Sequence, residues 1–236
     1  MKLSIVIPAY NEEFRLPKTL REYSAYFAEK FGNEMEIIVV ANHCSDDTVG
    51  VAEKIAQEWS QIKVLNEPGK TGKGGAVELG MKQARGSLIG FVDADGATPP
   101  ESFFKMFENI EDYGCIIGSR WIEGAQVYPR QSWMRRAASR ILNKIFVQGL
   151  FGVPVRDSQC GAKLFKAEVI QNILPEAVEP GWAFDIDLLC RTKRAGYRIR
   201  EFPIKWHHVP GNPTRFFVMG LQMLASIWRV KRALNC

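Results

Sequence analysis

Histidine is scarce in this chain, cysteine is scattered, and no apolar run is long enough to span a bilayer. The three histidines are His43, His207 and His208. The last two are adjacent and on a strand would face opposite ways, which points to structural or ligand-lining roles rather than a histidine metal site. Five cysteines (Cys44, Cys115, Cys160, Cys190, Cys236) make an odd set without CxxC spacing. That argues against a disulfide framework or a zinc site and fits a reducing cytoplasm. The two most apolar stretches, SRILNKIFVQGLF (139–151) and RFFVMGLQMLASIWRVKR (215–232), fall short of the roughly 20 uninterrupted apolar residues a membrane span needs. With Arg and Lys at their ends they read either as helices lying in a lipid headgroup layer or as core or dimer helices. MKLSIVIPAY lacks the apolar length of a signal peptide and reads as a strand. No repeat, low-complexity tract or linker divides the chain, so one domain over 1–236 is expected.

The composition, 46% hydrophobic and 24% charged over 236 residues, is that of a folded α/β domain rather than a disordered chain. The net charge of +5 is unevenly distributed. Arg120 to Lys166 holds nine basic residues against Glu123 and Asp157, a net of +7, and Arg215 to Cys236 holds four bases and no acid. Positive charge gathered in the second half marks either a solvated face or the side on which an anionic partner is met. Nothing in the pattern calls for a nucleic acid.

Apolar runs at 3–7, 36–40, 62–65, 87–92 and 115–119 alternate with helical patterns that begin at Pro17 and continue over 47–59, 73–84 and 100–110. That order predicts a Rossmann-like, mostly parallel sheet with helices on both faces, which binds ligands at the carboxyl ends of its strands. The second half reads as a basic amphipathic helix over about 131–150, a loop around DSQCG, a short element at AKLFK, a helix over 185–195, a strand at 197–204 and a last apolar, basic helix from about 215.

Two patterns carry chemistry. Asp93 and Asp95, two residues apart after an apolar strand, could offer hard oxygen ligands to Mg²⁺ or Mn²⁺, or could form an Asp-rich turn before Pro99 and Pro100. GKTGKGG (69–75) is not a P-loop, because Gly69 and Gly72 are too close and Gly74 follows Lys73. It remains a Gly-rich helix start with two lysines, an anion site or a plain turn.

SIVIPAYNEEFRLPKTL, ARGSLIGFVDADGATPPE, GSR (118–120), RDSQCGAKLFK and WAFDIDLLCRTKRAGYRIREFPIKW together resemble family 2 glycosyltransferases of GT-A fold. They are most similar to the dolichyl- or polyprenyl-phosphate glucosyl- and mannosyltransferases. The resemblance implies a nucleotide-sugar-binding half (1–119) and an acceptor-binding half (120–236) with amphipathic helices. Pro8, Tyr10, Glu12, Asn42, Asp46, Lys73 and Asp93 would line the donor pocket, with Asp93 and Asp95 holding Mg²⁺ or Mn²⁺. Arg120 falls where a base lies near the phosphates, and Asp185 where relatives carry an acceptor-side carboxylate. VVANHCSDD departs from the VVDDGSxD of relatives, keeping only Asp46, so the nucleotide base is left open. Ala97 stands where mannosyl relatives often have Gln.

An acceptor phosphate with a second pKa of about 6 is largely dianionic at neutral pH and needs cations rather than a strong base. The expectation is therefore an inverting transfer of glucose or mannose from a nucleotide sugar to a polyprenyl phosphate. Arg120, Arg135, Arg136, Lys163 and Arg215 would hold the acceptor, at the cytoplasmic face of a membrane on which the protein sits peripherally, alone, as a homo-oligomer or with a membrane-protein partner. The alternatives are transfer to a sugar hydroxyl, with Asp185 or Asp157 as base, and a catalytically silent nucleotide- or membrane-binding module.

Overall fold

The structure is a computed structural model describing residues 1–129, 139–181, 183–207 and 216–234, with the side chains of 216–222 excepted. The chain opens β1 (Leu3–Ala9), α1 (Leu16–Phe31), β2 (Met35–Asn42), α2 (Thr48–Glu58), β3 (Ile62–Glu67), α3 (Gly72–Gln83), β4 (Leu88–Val92), α4 (Pro100–Glu108) and β5 (Cys115–Ser119). The short strand β6 (Gln126–Tyr128) follows, then a π-helical segment (Asn143–Leu150), β7 (Ala162–Lys166), α5 (Ala167–Ile173), α6 (Phe184–Arg194), β8 (Ile199–Pro203), β9 (Lys205–His207) and α7 (Phe216–Ala233).

Seven strands form one sheet in the order β3-β2-β1-β4-β7-β5-β8. β1 pairs in parallel with both β2 and β4, and β3 joins β2 in parallel. β7 runs antiparallel to β4 and β5, and β8 is parallel to β5. Every strand but β7 therefore shares one direction. The ends of β1, β4 and β5 and the start of β7 meet at one sheet edge, with Val92 opposite Ala162.

Period-two alternation sends the strands' side chains to two cores. Leu3, Ile5, Ile7, Ile37 and Val39 pack with α1, α2 and α4, while Val6, Ile38 and Val40 face α3 and α6. α1 buries Leu16, Leu20, Tyr23 and Phe27, the helical stripe visible in the sequence. Its Phe27 and Phe31 stack among Phe103, Phe104 and Phe107.

Two elements differ from expectation. The segment expected as one helix over 131–150 is π-wound from Asn143, whose buried amide donates to Ser139 O and accepts from Ser158 N at 2.9 Å each. β6 pairs with β9 as a two-stranded parallel ribbon of three residues each. Its alternation is too short and too exposed to read as a strand.

Glu36, on β2, joins three chain segments. Its carboxylate accepts from Ser4 Oγ at 2.7 Å, from Arg85 N at 2.8 Å and from the Arg85 guanidinium at 3.0 Å. Burial alone would raise its pKa, but the bonds from Ser4 and Arg85 outweigh it and hold the carboxyl below its ordinary 4.5. Its stabilisation is thus fully present above pH 4.5 and is lost as pH falls through the lowered value. Glu36→Gln is expected to cost ~1–3 kcal/mol at neutral pH and to flatten the acid limb of the stability curve. Urea melts at pH 7 and pH 3.5 measure both effects.

Candidate active site

The loops after β1 and β2 are stapled together at the sheet edge. Asn11 Oδ1 accepts from Ser45 N at 2.8 Å, Thr48 Oγ1 from Glu12 N at 2.8 Å, and Asp46 Oδ2 from Glu13 N at 3.2 Å. Burial opposes ionisation of Asp46, but its bonds from Thr48 and from the Glu13 N–H hold its carboxyl below the ordinary value. These contacts fix Glu12 beside the acidic pair. Burial raises the Glu12 pKa, Arg15 at 2.5–2.6 Å pulls it back, and the charges of Asp95 and Asp93 push it up. Pro8 lies in β1, and Tyr10, just beyond it, is 53% exposed, a ring open to a flat ligand.

Asp93 and Asp95 follow the last residue of β4. The Asp93 backbone donates to Gly161 O at 3.1 Å, and a Cβ on Gly161 would collide with the Asp93 carboxylate, so a glycine there gives the acid its room. Asp95 Oδ1 accepts from Ala97 N at 2.9 Å, the Asp-turn reading, while burial and the Asp93 charge raise its pKa. The Asp-turn is therefore present, and the charge of Asp93 weighs on the buried Asp95 beside it. Among the described residues no group of three or more acids, His or Cys could hold a metal ion. The pair fits a divalent ion whose remaining ligands are water and substrate phosphate, the usual Mg²⁺ arrangement.

The glycine-rich loop is not an open anion cradle. Gly75 N donates to Pro180 O at 3.0 Å, and Gly74 has no room for a Cβ because Phe184 and Pro180 O pack against it. Asn42 uses its amide on this same loop, donating to Gly72 O at 2.8 Å and accepting from Thr71 N at 3.3 Å. Asn42, expected to line the donor pocket, pins the start of α3 through these bonds. Lys73 is the part of the loop that faces the acids, its Nζ 2.6 Å from Asp93 Oδ1. Burial disfavours its charge, but Asp93 and then Asp185 outweigh that and raise its pKa, so it stays protonated.

On the other side of β4, Arg120 grips Asp157 through Nε and Nη2 at 2.8 Å each and through its backbone N at 2.9 Å. Its guanidinium lies 5.2 Å from the Trp206 ring centroid and 5.4 Å from that of Trp121. Burial opposes its charge and Asp157 more than restores it, so Arg120 is a cation held in place by Asp157. Asp157, a candidate base in the sequence, has no exposed side-chain surface and is committed to Arg120. Lys163, expected on an acceptor phosphate, is also fully buried and donates to Asp185 Oδ1 at 2.6 Å and Cys160 O at 2.8 Å. It cannot meet an acceptor there, which corrects the expectation. Asp185 has 8% of its side chain exposed. Arg135, Arg136, Arg215 and His208 lie outside the described residues.

Sequence reasoning missed Glu179. It accepts from Arg229 Nε at 3.0 Å and Ser226 Oγ at 3.0 Å, linking α7 to the loop whose Pro180 carbonyl caps α3. A lone Glu in a Pro-containing loop carries no signal of its partner 50 residues away.

Known proteins share this fold and resemble this sequence. Glucosyl-3-phosphoglycerate synthase from Mycobacterium tuberculosis, solved with Mn²⁺, uridine-diphosphate and glucosyl-3-phosphoglycerate, superposes with a TM-score of 0.71 at 19% identity, over 97% of this chain and 79% of that one. That likeness establishes the GT-A fold. Dolichyl-phosphate beta-glucosyltransferase ALG5A of Trichomonas vaginalis is 34% identical over 235 residues, 95% of this chain and 71% of the relative. Dolichyl-phosphate beta-glucosyltransferase of Dictyostelium discoideum is 31% identical over 97% of this chain and 73% of its own length. Glycosyltransferase AglD of Haloferax volcanii is 30% identical over 98% of this chain, which spans 38% of that longer protein. Residues 4–174 match the family described as Glycosyl transferase family 2. Matched by that family model over most of its length and by relatives about 30% identical over nearly all of its residues, the chain belongs to the family 2 glycosyltransferases.

Proposed function

We propose that this enzyme transfers glucose from a nucleoside-diphosphate glucose to a polyprenyl phosphate of the dolichyl type, with inversion at the anomeric carbon. The observation that carries this reading is the sheet edge where Lys73 reaches Asp93 after β4 and Arg120 is held on Asp157 after β5, while both candidate bases are held in buried ion pairs. The names of relatives about 30% identical over nearly the whole chain support the sugar and the lipid class.

In the reaction an acceptor phosphate oxygen forms a bond to the anomeric carbon as the bond from that carbon to the diphosphate oxygen breaks, and the electron pair leaves with the diphosphate. A dianionic phosphate has no proton to give up, so the arrangement needs no base. Asp93 and Asp95 would hold Mg²⁺ or Mn²⁺, which as a Lewis acid stabilises charge growing on the leaving diphosphate. Tyr10 and the stapled β1 and β2 loops orient the nucleoside, and Arg120, immobilised by Asp157, presents positive charge to the meeting anions. Transfer to a sugar hydroxyl needs a base, and burial of Asp157 and Asp185 speaks against it.

The lipid acceptor also places the protein on a membrane. Among the described residues no helix is long and apolar enough to cross one. The 143–150 segment and α7 instead form an open groove of about 370 Å³ lined by Ile145, Leu150, Leu224 and Trp228. Trp228 is 60% exposed, Lys231 lies 5.0 Å over its ring, and Arg229 and Arg232 border it. An aromatic and aliphatic face rimmed by bases suits an anionic lipid surface.

The test is a donor screen with and without Mn²⁺, offering a short prenyl phosphate and a simple sugar as rival acceptors. Glucosylation of the prenyl phosphate with inverted configuration supports the proposal; transfer confined to the sugar refutes it. For the membrane, Trp228→Glu is expected to lower co-sedimentation with vesicles containing anionic lipid about tenfold at low salt, leaving turnover on the short soluble acceptor unchanged. Equal sedimentation of both proteins would count against this surface.

A further inference from the structure

Asp93 already has a cation. Lys73 Nζ sits 2.6 Å from Asp93 Oδ1, with a quarter of the Lys73 side chain and 38% of the Asp93 side chain exposed. The other carboxylate whose field Lys73 feels strongly, Asp185, is itself bonded to the buried Lys163 at 2.6 Å. The ammonium is therefore directed to Asp93, steadied by the face of Phe91 at 5.8 Å. α3 cannot carry it away, because Gly75 N is fastened to Pro180 O and Gly72 O to Asn42. Only the four-carbon stem is free to move the charge.

We infer that Lys73 is a resident counter-ion that blocks the metal position until a diphosphate arrives, so that metal and donor bind as one coupled event. This rests on the reading of Asp93 and Asp95 as metal ligands. A divalent ion approaching the substrate-free protein has to displace an ammonium from Asp93 Oδ1 and leave it near the incoming positive charge, which weakens binding. A nucleoside diphosphate offers the ammonium new oxygen partners within reach of the same stem, and the carboxylate is released to the metal. By linkage, the factor by which the diphosphate tightens metal binding equals the factor by which metal tightens diphosphate binding. The device keeps Asp93 neutralised between turnovers and hinders the site from trapping free cations.

The experiment is a Mn²⁺ titration read by the EPR signal of the free ion, with no acceptor and no turnover, on the full chain with and without UDP or GDP. Lys73→Met and Lys73→Gln remove the charge, the second keeping a polar stem, and thermal melts verify that each is folded. Without nucleotide, both variants are expected to bind Mn²⁺ at least tenfold more tightly than the unmodified protein, and the nucleotide's tightening of Mn²⁺ is expected to shrink by the same factor. Mn²⁺ affinity that is unchanged or weaker in the folded variants overturns the inference while leaving the metal site standing. Asp93→Asn separates the two: if it leaves Mn²⁺ binding in the presence of nucleotide unaltered, the metal reading itself fails, and this inference with it.

Discussion

Asp95→Asn is expected to slow glucosyl transfer about a thousandfold, ~4 kcal/mol of lost transition-state stabilisation, in a protein at least as stable as the original. The amide oxygen of Asn can still accept from Ala97 N, so the turn after β4 survives the change. What disappears is one negative charge in a place where charge is disfavoured. Burial first, and the neighbouring Asp93 second, raise the Asp95 pKa. A raised folded pKa means that the folded state holds the proton more tightly than the unfolded chain. Stability from this group is present at low pH and is lost as pH rises through the raised value, so at neutral pH the ionised Asp95 is a burden on the fold. Removing it relieves repulsion with Asp93 and with Glu12, whose own pKa both acids push upward. A melting temperature that holds or rises while turnover collapses is the mark of a group kept for chemistry at the fold's expense. A variant within threefold of full activity would mean that the acidic pair takes no part in the reaction.

The parallel half of the sheet was legible because each of its strands is a short apolar run followed by a helix with one apolar stripe, and the site was legible to the extent that it lies where those strands end. Asp93, Asp95 and Glu12 are all of that kind. β7 was not. AKLFK is five residues long, and nothing local says that it runs against β4 and β5. Read only as a short element, it gave Lys163 no face, and a lysine in a basic segment reads as a ligand for anions. The signal that could have corrected this is alternation: on a strand Lys163 shares a face with Phe165, which lies in the core beside α6, so its charge had to find a buried partner. Asp157 failed for a related reason. Next to Arg156 in the sequence it looks solvated, yet it pairs with Arg120, 37 residues earlier. Lys73 was recognisable as a residue of the donor loop, but its direct contact with Asp93 depends on how Pro180 and Asn42 fasten the start of α3, which is tertiary information.

Asp185→Asn separates the two acceptor chemistries and at the same time measures the buried pair. Lys163 has no exposed side-chain surface, and in Asp185→Asn its ammonium keeps Cys160 O at 2.8 Å, the Phe91 ring at 5.3 Å and a neutral amide oxygen in place of its counter-ion. Leaving a buried charge without its counter-ion costs about 3–5 kcal/mol, which for a domain of this size corresponds to a fall of roughly 6–20 °C in melting temperature. Lys163→Met should cost less, because Asp185 remains within the field of the Lys73 ammonium. The double variant Asp185→Asn with Lys163→Met should recover most of the loss, giving a coupling energy of about 2–3 kcal/mol in a double-mutant cycle. Activity is then compared per folded molecule, at a temperature where every variant is native. If the acceptor is a phosphate dianion, no group has to remove a proton, and Asp185→Asn retains turnover within about tenfold of the original. If the acceptor is a hydroxyl, the loss of its base costs about 10²–10⁴-fold, and neutralising Lys163 cannot restore it. Stability that recovers in the double variant together with activity that never fell is the combined result expected for a lipid phosphate. Recovered stability with activity still lost would move the reaction to a hydroxyl acceptor.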